Sequence, residues 1–186
     1  MHTPSLIAAS FGTATLASVI AAATDTRTGR IPNWLTLPAA AVGILSHLVM
    51  GGKVSAGISL LGFLLAAAVP AILYRVSQGR AIGGGDVKLF ASLGAMLGPT
   101  LAIEAELGAF VLLTVFALIC LTLRGALWRV LVNSAHLLVN PLLPTKYRRP
   151  IEHESLTEMR LGPAIACSVV STLILEHLGW LLPWLS

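Results

Sequence analysis

Charged side chains are scarce in this chain. Asp, Glu, Lys and Arg make up 11% of its 186 residues, where an average soluble domain carries about 25%. Hydrophobic residues make up 56%, and the mean hydropathy is +0.86. Such a composition argues against a water-soluble domain. The apolar runs are continuous, whereas the strands of a membrane barrel alternate apolar and polar residues, so a β-barrel is also disfavoured. The expectation is an all-α, polytopic membrane protein forming one domain over residues 1–186, with the lipid bilayer as its main surroundings. The net charge of +4 does not call for nucleic acid, because topology accounts for where the basic residues fall.

Other scarcities narrow the chemistry. There are two cysteines, Cys120 and Cys167. Both sit inside apolar runs without a CxxC, which argues against zinc or redox work and for small residues buried in helices. The five histidines form no HExxH, and His153 between Glu152 and Glu154 is a poor metal site. No Ser/His/Asp triad assembles, and the glycine run at 83–85 lacks the Gly-Lys-Ser/Thr ending of a phosphate-binding loop. Neither metal nor cofactor is expected. Aspartate occurs only twice, as Asp25 and Asp86.

Taken in order, residues 5–23 form an apolar run of about 19 residues, enough to cross a membrane. No Lys or Arg precedes it, so it reads as a retained first helix with its amino end outside. A polar loop over 25–33 follows, punctuated by Gly29 and Pro32. A second helix is expected from Trp34, an interfacial anchor, to about Met50. A turn over 51–55 leads to a third helix over 56–74, kinked at Pro70. The fourth helix begins near Asp86 and meets Gly98-Pro99 after about 13 residues, roughly 20 Å. It therefore either kinks at Pro99 and continues to about Ile103 or starts below the membrane surface. Glu104 and Glu106 mark a turn on the far side. The fifth helix covers 107–123, an amphipathic surface helix 127–138, and the sixth membrane helix 161–182.

Eleven of the twelve Lys and Arg follow the first, third and fifth helices, and only Lys53 falls on the other side. The excess of positive charge makes the eleven-charge side cytoplasmic. With six helices both termini lie outside, and Asp25 and Asp86 share the cytoplasmic side.

Ionisable residues at membrane depth are costly and by default functional. Two carboxylates brought together cannot easily both ionise, so such a pair shares a proton. The ionised member can then take a proton from water while the protonated one polarises a peptide carbonyl. Gly83, Gly84 and Gly85 would let a backbone come close. Plainer readings stand beside this one: Asp86 as a helix N-cap, Asp25 paired with Arg27 or Arg30, and Lys88 as a snorkelling interfacial lysine instead of a charge tuning the pair.

The order Asp25, Ile31-Pro32-Asn33, then Gly83-x-Gly85-Asp86-x-Lys88-Leu89 resembles the prepilin peptidase family, the GxGD-type aspartic peptidases of bacterial inner membranes. Residues 91–98 and Leu161-Gly162-Pro163-Ala164-Ile165-Ala166 resemble its pattern too. The resemblance implies that Asp25 and Asp86 are the catalytic pair, supported by Gly83, Gly85, Lys88, Pro32 and Asn33. It implies a prepilin substrate cleaved just after a short basic leader, with Glu152, Glu154 and Glu158 as acidic candidates to meet it. Larger members carry a cytoplasmic zinc-binding domain and methylate the new amino terminus. The present chain resembles the short branch that serves Flp-type pili, for which peptidase without methyltransferase activity is expected, with homo-oligomers left open. Two rival readings are a small proton-coupled transporter and a non-catalytic assembly protein of a pilus or secretion platform.

Overall fold

The computed structural model describes residues 4–79, 82–125, 128, 132 and 161–181, and the side chains of 4–9 and 177–181 lie outside that description. Among the described residues five helices follow one another: α1 (Pro4–Thr28), α2 (Asn33–Ser77), α3 (Gly84–Leu97), α4 (Pro99–Leu123) and α5 (Gly162–Leu181). Among the described residues there is no strand. The chain divides into two compact units. One comprises 1–112 with 160–186 and holds the site described below; the other, 113–159, contains the end of α4. The surface helix expected over 127–138 lies outside the described residues apart from 128 and 132, as do Glu152, His153, Glu154 and Glu158.

Helix α1 runs further than the sequence suggested. It passes through Asp25, which was expected in a loop, and stops at Thr28. The hydroxyls of Thr24, Thr26 and Thr28 donate to carbonyls three or four residues back, so the polar end of the helix satisfies itself. Gly29 then closes the helix at φ 66°, its N–H donating to the carbonyl of Asp25 at 2.8 Å.

Helix α2 is broken inside, at Gly52 (φ 73°, ψ −172°), a conformation open to glycine. The chain reverses there. Nδ1 of His47 lies 2.8 Å from Oγ of Ser55, whereas eight positions along a straight helix span about 12 Å. The expected five-residue turn is thus one glycine, and the backbone keeps helical angles at Pro38 and Pro70.

Both arms of α2 clamp α3. A methyl group added at Gly43 would come within 2.8–2.9 Å of the Ala95–Met96 backbone. One added at Gly62 would strike the Gly94 carbonyl and the Gly98 backbone. The glycines bring backbones closer than any side chain allows, the usual way to pack helices where lipid gives no hydrophobic drive. At the buried end of α3, two carbonyls beyond the reach of its own helix still find donors. Ser59 Oγ donates to Ala95 O at 2.6 Å, and His47 Nε2 meets Met96 O at 3.1 Å.

Gly98 (φ 77°) separates α3 from α4, which opens on Pro99. The stacked rings of Phe90 and Phe110, 5.9 Å apart, show a second reversal here, since twenty helical positions span about 30 Å. The fourth helix therefore ends at Leu97 and does not continue through Pro99. Glu104 and Glu106, read as a turn, lie inside α4, and Glu106 is buried. Proline at the first position of a helix sacrifices no hydrogen bond, so Gly98-Pro99 is a break followed by a fresh start. Helix α5 packs on α1, and Ser168 Oγ donates to Ala105 O of α4 at 2.6 Å.

Among the described residues two helices, α2 and α4, are long and apolar enough to cross a membrane. Large apolar side chains such as Val49, Val54, Leu107 and Val111 are exposed on them. The cysteines are free, and Cys167 faces outward from α5 instead of into the core as expected. Helix α3, with 14 residues, is about 21 Å long and falls short of a roughly 30 Å hydrocarbon core.

Candidate active site

The loop after α1 and the start of α3 lock together through the residues that looked like motifs. Ile31 is buried against Gly85: a methyl group there would sit 3.0 Å from Ile31 Cβ and 3.2 Å from its carbonyl oxygen. Pro32 lies in extended backbone (φ −76°, ψ 144°) and starts α2, its carbonyl accepting from Leu35 and Thr36. Asn33 Oδ1 accepts from Lys88 Nζ at 2.9 Å, tying the start of α2 to the first turn of α3 across 55 positions of chain. Lys88 thus braces the frame through Asn33. Lys88→Met should lower stability by about 1 kcal/mol, and a double-mutant cycle with Asn33→Ala should return most of that as coupling; additive losses would mean that the two do not act as a pair.

This frame surrounds a cavity of about 280 Å³ lined by Asp25, Gly29, Arg30, Ile31, Gly83, Gly84, Gly85 and Asp86. Asp25 reaches it from the last turns of α1 and is buried. Its Oδ2 accepts the N–H of Gly162, the first residue of α5, at 3.0 Å. Asp86 comes from the first turn of α3, and its Oδ2 accepts the N–H of Gly83 at 3.1 Å. Asp86 therefore sits at the amino end of α3, where backbone N–H groups and the helix dipole favour negative charge.

Burial nevertheless pushes the Asp86 carboxyl up from 3.8 to about 6. The Gly83 N–H pulls against that rise, and the negative charge of Asp25 adds to it. The two carboxylates thus feel each other. A carboxyl that exchanges its proton near pH 6 is suited to proton transfer near neutrality. Among the described residues no three His, Cys, Asp or Glu side chains gather as metal ligands would.

The model of the type IV leader peptidase family matches residues 13–123, a stretch that holds both aspartates and both motifs. The chain belongs to the type IV leader peptidase family. This leader-peptidase relationship, with two helices of membrane-crossing length, makes it a membrane protein of the aspartic prepilin peptidase class. No curated protein and no solved structure matches it.

Of the seven residues singled out from the sequence, Asp25, Asp86, Gly83 and Gly85 line the cavity. Pro32, Asn33 and Lys88 frame it. Gly84, in the wall, belongs to the glycine run expected to admit a backbone; two participants were not anticipated as such, Arg30 on the rim and Gly162 as the partner of Asp25. Gly162 lies beyond the stretch that the leader-peptidase model matches. In the sequence it stood out only as part of Leu161–Ala166, a stretch that resembles the family's pattern but gives no sign of a contact with Asp25.

Proposed function

We propose that the chain is an aspartic endopeptidase that removes the basic leader of type IV pilin-like precursors, Flp-type ones first, at the cytoplasmic face of a bacterial inner membrane. The supporting observation is that the only two aspartates in the sequence, 61 positions apart, line one glycine-walled cavity. Asp25 serves as the base. It takes a proton from a water molecule whose oxygen attacks the scissile carbonyl carbon. Asp86, the carboxyl raised toward neutrality, carries the proton that polarises the carbonyl oxygen. The C–N bond breaks as the tetrahedral adduct collapses, with a proton passing to the leaving amine. The chemistry needs no cofactor.

The same reading has the helices making six passes, with both termini outside and the cavity inside. Eleven of the twelve Lys and Arg belong to the cavity side in that arrangement. The apolar helix of the precursor lies in the bilayer, and its leader reaches the cavity from the cytoplasm. Glycines 83 to 85 favour a substrate whose backbone comes close at the cleavage point. Co-expression with a Flp-type prepilin tests this: the precursor should shift to its leaderless size on a gel. Uncut precursor beside abundant, membrane-inserted protein would argue against the reading.

A further inference from the structure

Helix α5 starts at Gly162, and the Ile165 N–H donates to the Leu161 carbonyl at 3.0 Å, so Leu161 is the residue that opens the helix. The first N–H groups of a helix have no partner within it. That of Gly162 is taken by Oδ2 of Asp25, 137 positions earlier, in a buried contact. The fit leaves no spare room. A methyl group on Gly162 would lie 2.8 Å from both Cβ and Oδ2 of Asp25 and 3.1 Å from its Cγ. Two of those atoms belong to the short, stiff base of the side chain, which cannot swing away as a long chain would. Asp25 is itself only 7% exposed, so it has little alternative space.

We propose that Gly162 is a positioning residue for Asp25: its backbone N–H fixes the carboxylate, and its missing side chain leaves the space that the carboxylate occupies. This rests on the peptidase reading above. It adds that the last helix, outside the stretch matched by the family model, sets the geometry of the base. Gly162 touches no substrate; it acts through Asp25.

The test uses full-length protein reconstituted in liposomes with a purified Flp-type prepilin. Gly162→Ala should lower kcat about 100-fold, the cost of displacing a reacting group by about 1 Å, with KM within about threefold of wild type. Gly108→Ala is the control. From α4 it crowds Ser168 of α5, the helix of Gly162, without approaching the cavity, so it should lower the unfolding midpoint yet keep wild-type kcat. If Gly162→Ala folds too poorly for kinetics, a stability cycle with Asp25→Gly decides. The loss of midpoint caused by Gly162→Ala should largely vanish once the Asp25 side chain is gone.

Wild-type kcat in Gly162→Ala would overturn the inference, as would an equal midpoint loss in both backgrounds. Cleavage by wild type and its loss in Asp25→Asn, alongside an active Gly162→Ala, would leave the peptidase reading standing and refute only the role of Gly162. No cleavage by wild type would remove the reading on which the inference rests.

Discussion

Asp86→Asn should yield a protein that no longer cleaves prepilin and yet unfolds later than wild type at pH 8. The activity loss, about 10³-fold or more, follows from removing the proton donor of the pair, and Asp25→Asn should lose as much by removing the base. The stability gain follows from the environment of Asp86. Its carboxyl titrates at 3.8 when unperturbed and near 6 in the folded protein, so the folded state holds the proton more tightly than the unfolded state. The stabilisation from that proton is complete below about pH 3.8 and is lost as pH rises through about 6. Above that, wild type bears the cost of a charged, largely buried carboxylate. A shift of about two units corresponds to at most about 3 kcal/mol. Asparagine carries no charge, and its side-chain oxygen can still accept the Gly83 N–H. Wild type and variant should therefore unfold at similar midpoints near pH 4, and the variant should lead by about 2–3 kcal/mol at pH 8. Thermal unfolding in detergent at the two pH values checks this. A variant less stable than wild type at pH 8 would mean that the Asp86 charge is welcomed in the fold.

The second large effect lies in the clamp of α2 on α3. Gly62→Ala or Gly94→Ala should cost 3 kcal/mol or more, the upper end of what overpacking inflicts. At Gly94 the added methyl would strike the Gly62 carbonyl and lie 2.8 Å from Ala66 Cβ; at Gly62 it would strike the Gly94 carbonyl. Backbone atoms on both sides cannot rotate out of the way. Gly94→Val should fail to accumulate in the membrane. Gly12→Ala and Gly57→Ala sharpen the comparison, because nothing lies within 4 Å of a methyl group at either position. There the change should be neutral or stabilising by up to about 1 kcal/mol, from helix propensity alone. Equal effects at all four glycines would show that α2 and α3 do not approach as closely as described.

The sequence carried much of the site because its polar residues are so few. Two aspartates among long apolar runs, with Ile31-Pro32-Asn33 after one and the glycines before the other, marked both halves of the cavity. The helix ends were harder to read. Asp25 looked like a loop residue because polar side chains at a helix end resemble a loop, yet the threonine hydroxyls around it turn back and donate to carbonyls of the helix. Glu104 and Glu106 looked like a turn because charge usually marks a surface. The break is instead at Gly98, and Glu106 is buried in α4. Nothing in the sequence marks His47 and Ser59, because their role, satisfying the end of α3, depends on contacts 49 and 36 positions away. Gly162 was hidden for the same reason. A missing side chain gains meaning only when the packing shows what fills its place, and here that is the carboxylate of Asp25.

The central claim is that Asp25 and Asp86 act together on one peptide bond. The most direct test is to mix purified protein in liposomes with a Flp-type prepilin and weigh the products by mass spectrometry, for wild type, Asp25→Asn and Asp86→Asn. The account predicts a single cut that releases the basic leader with wild type and intact precursor with either variant. Leader release at a substantial rate by either variant would contradict it.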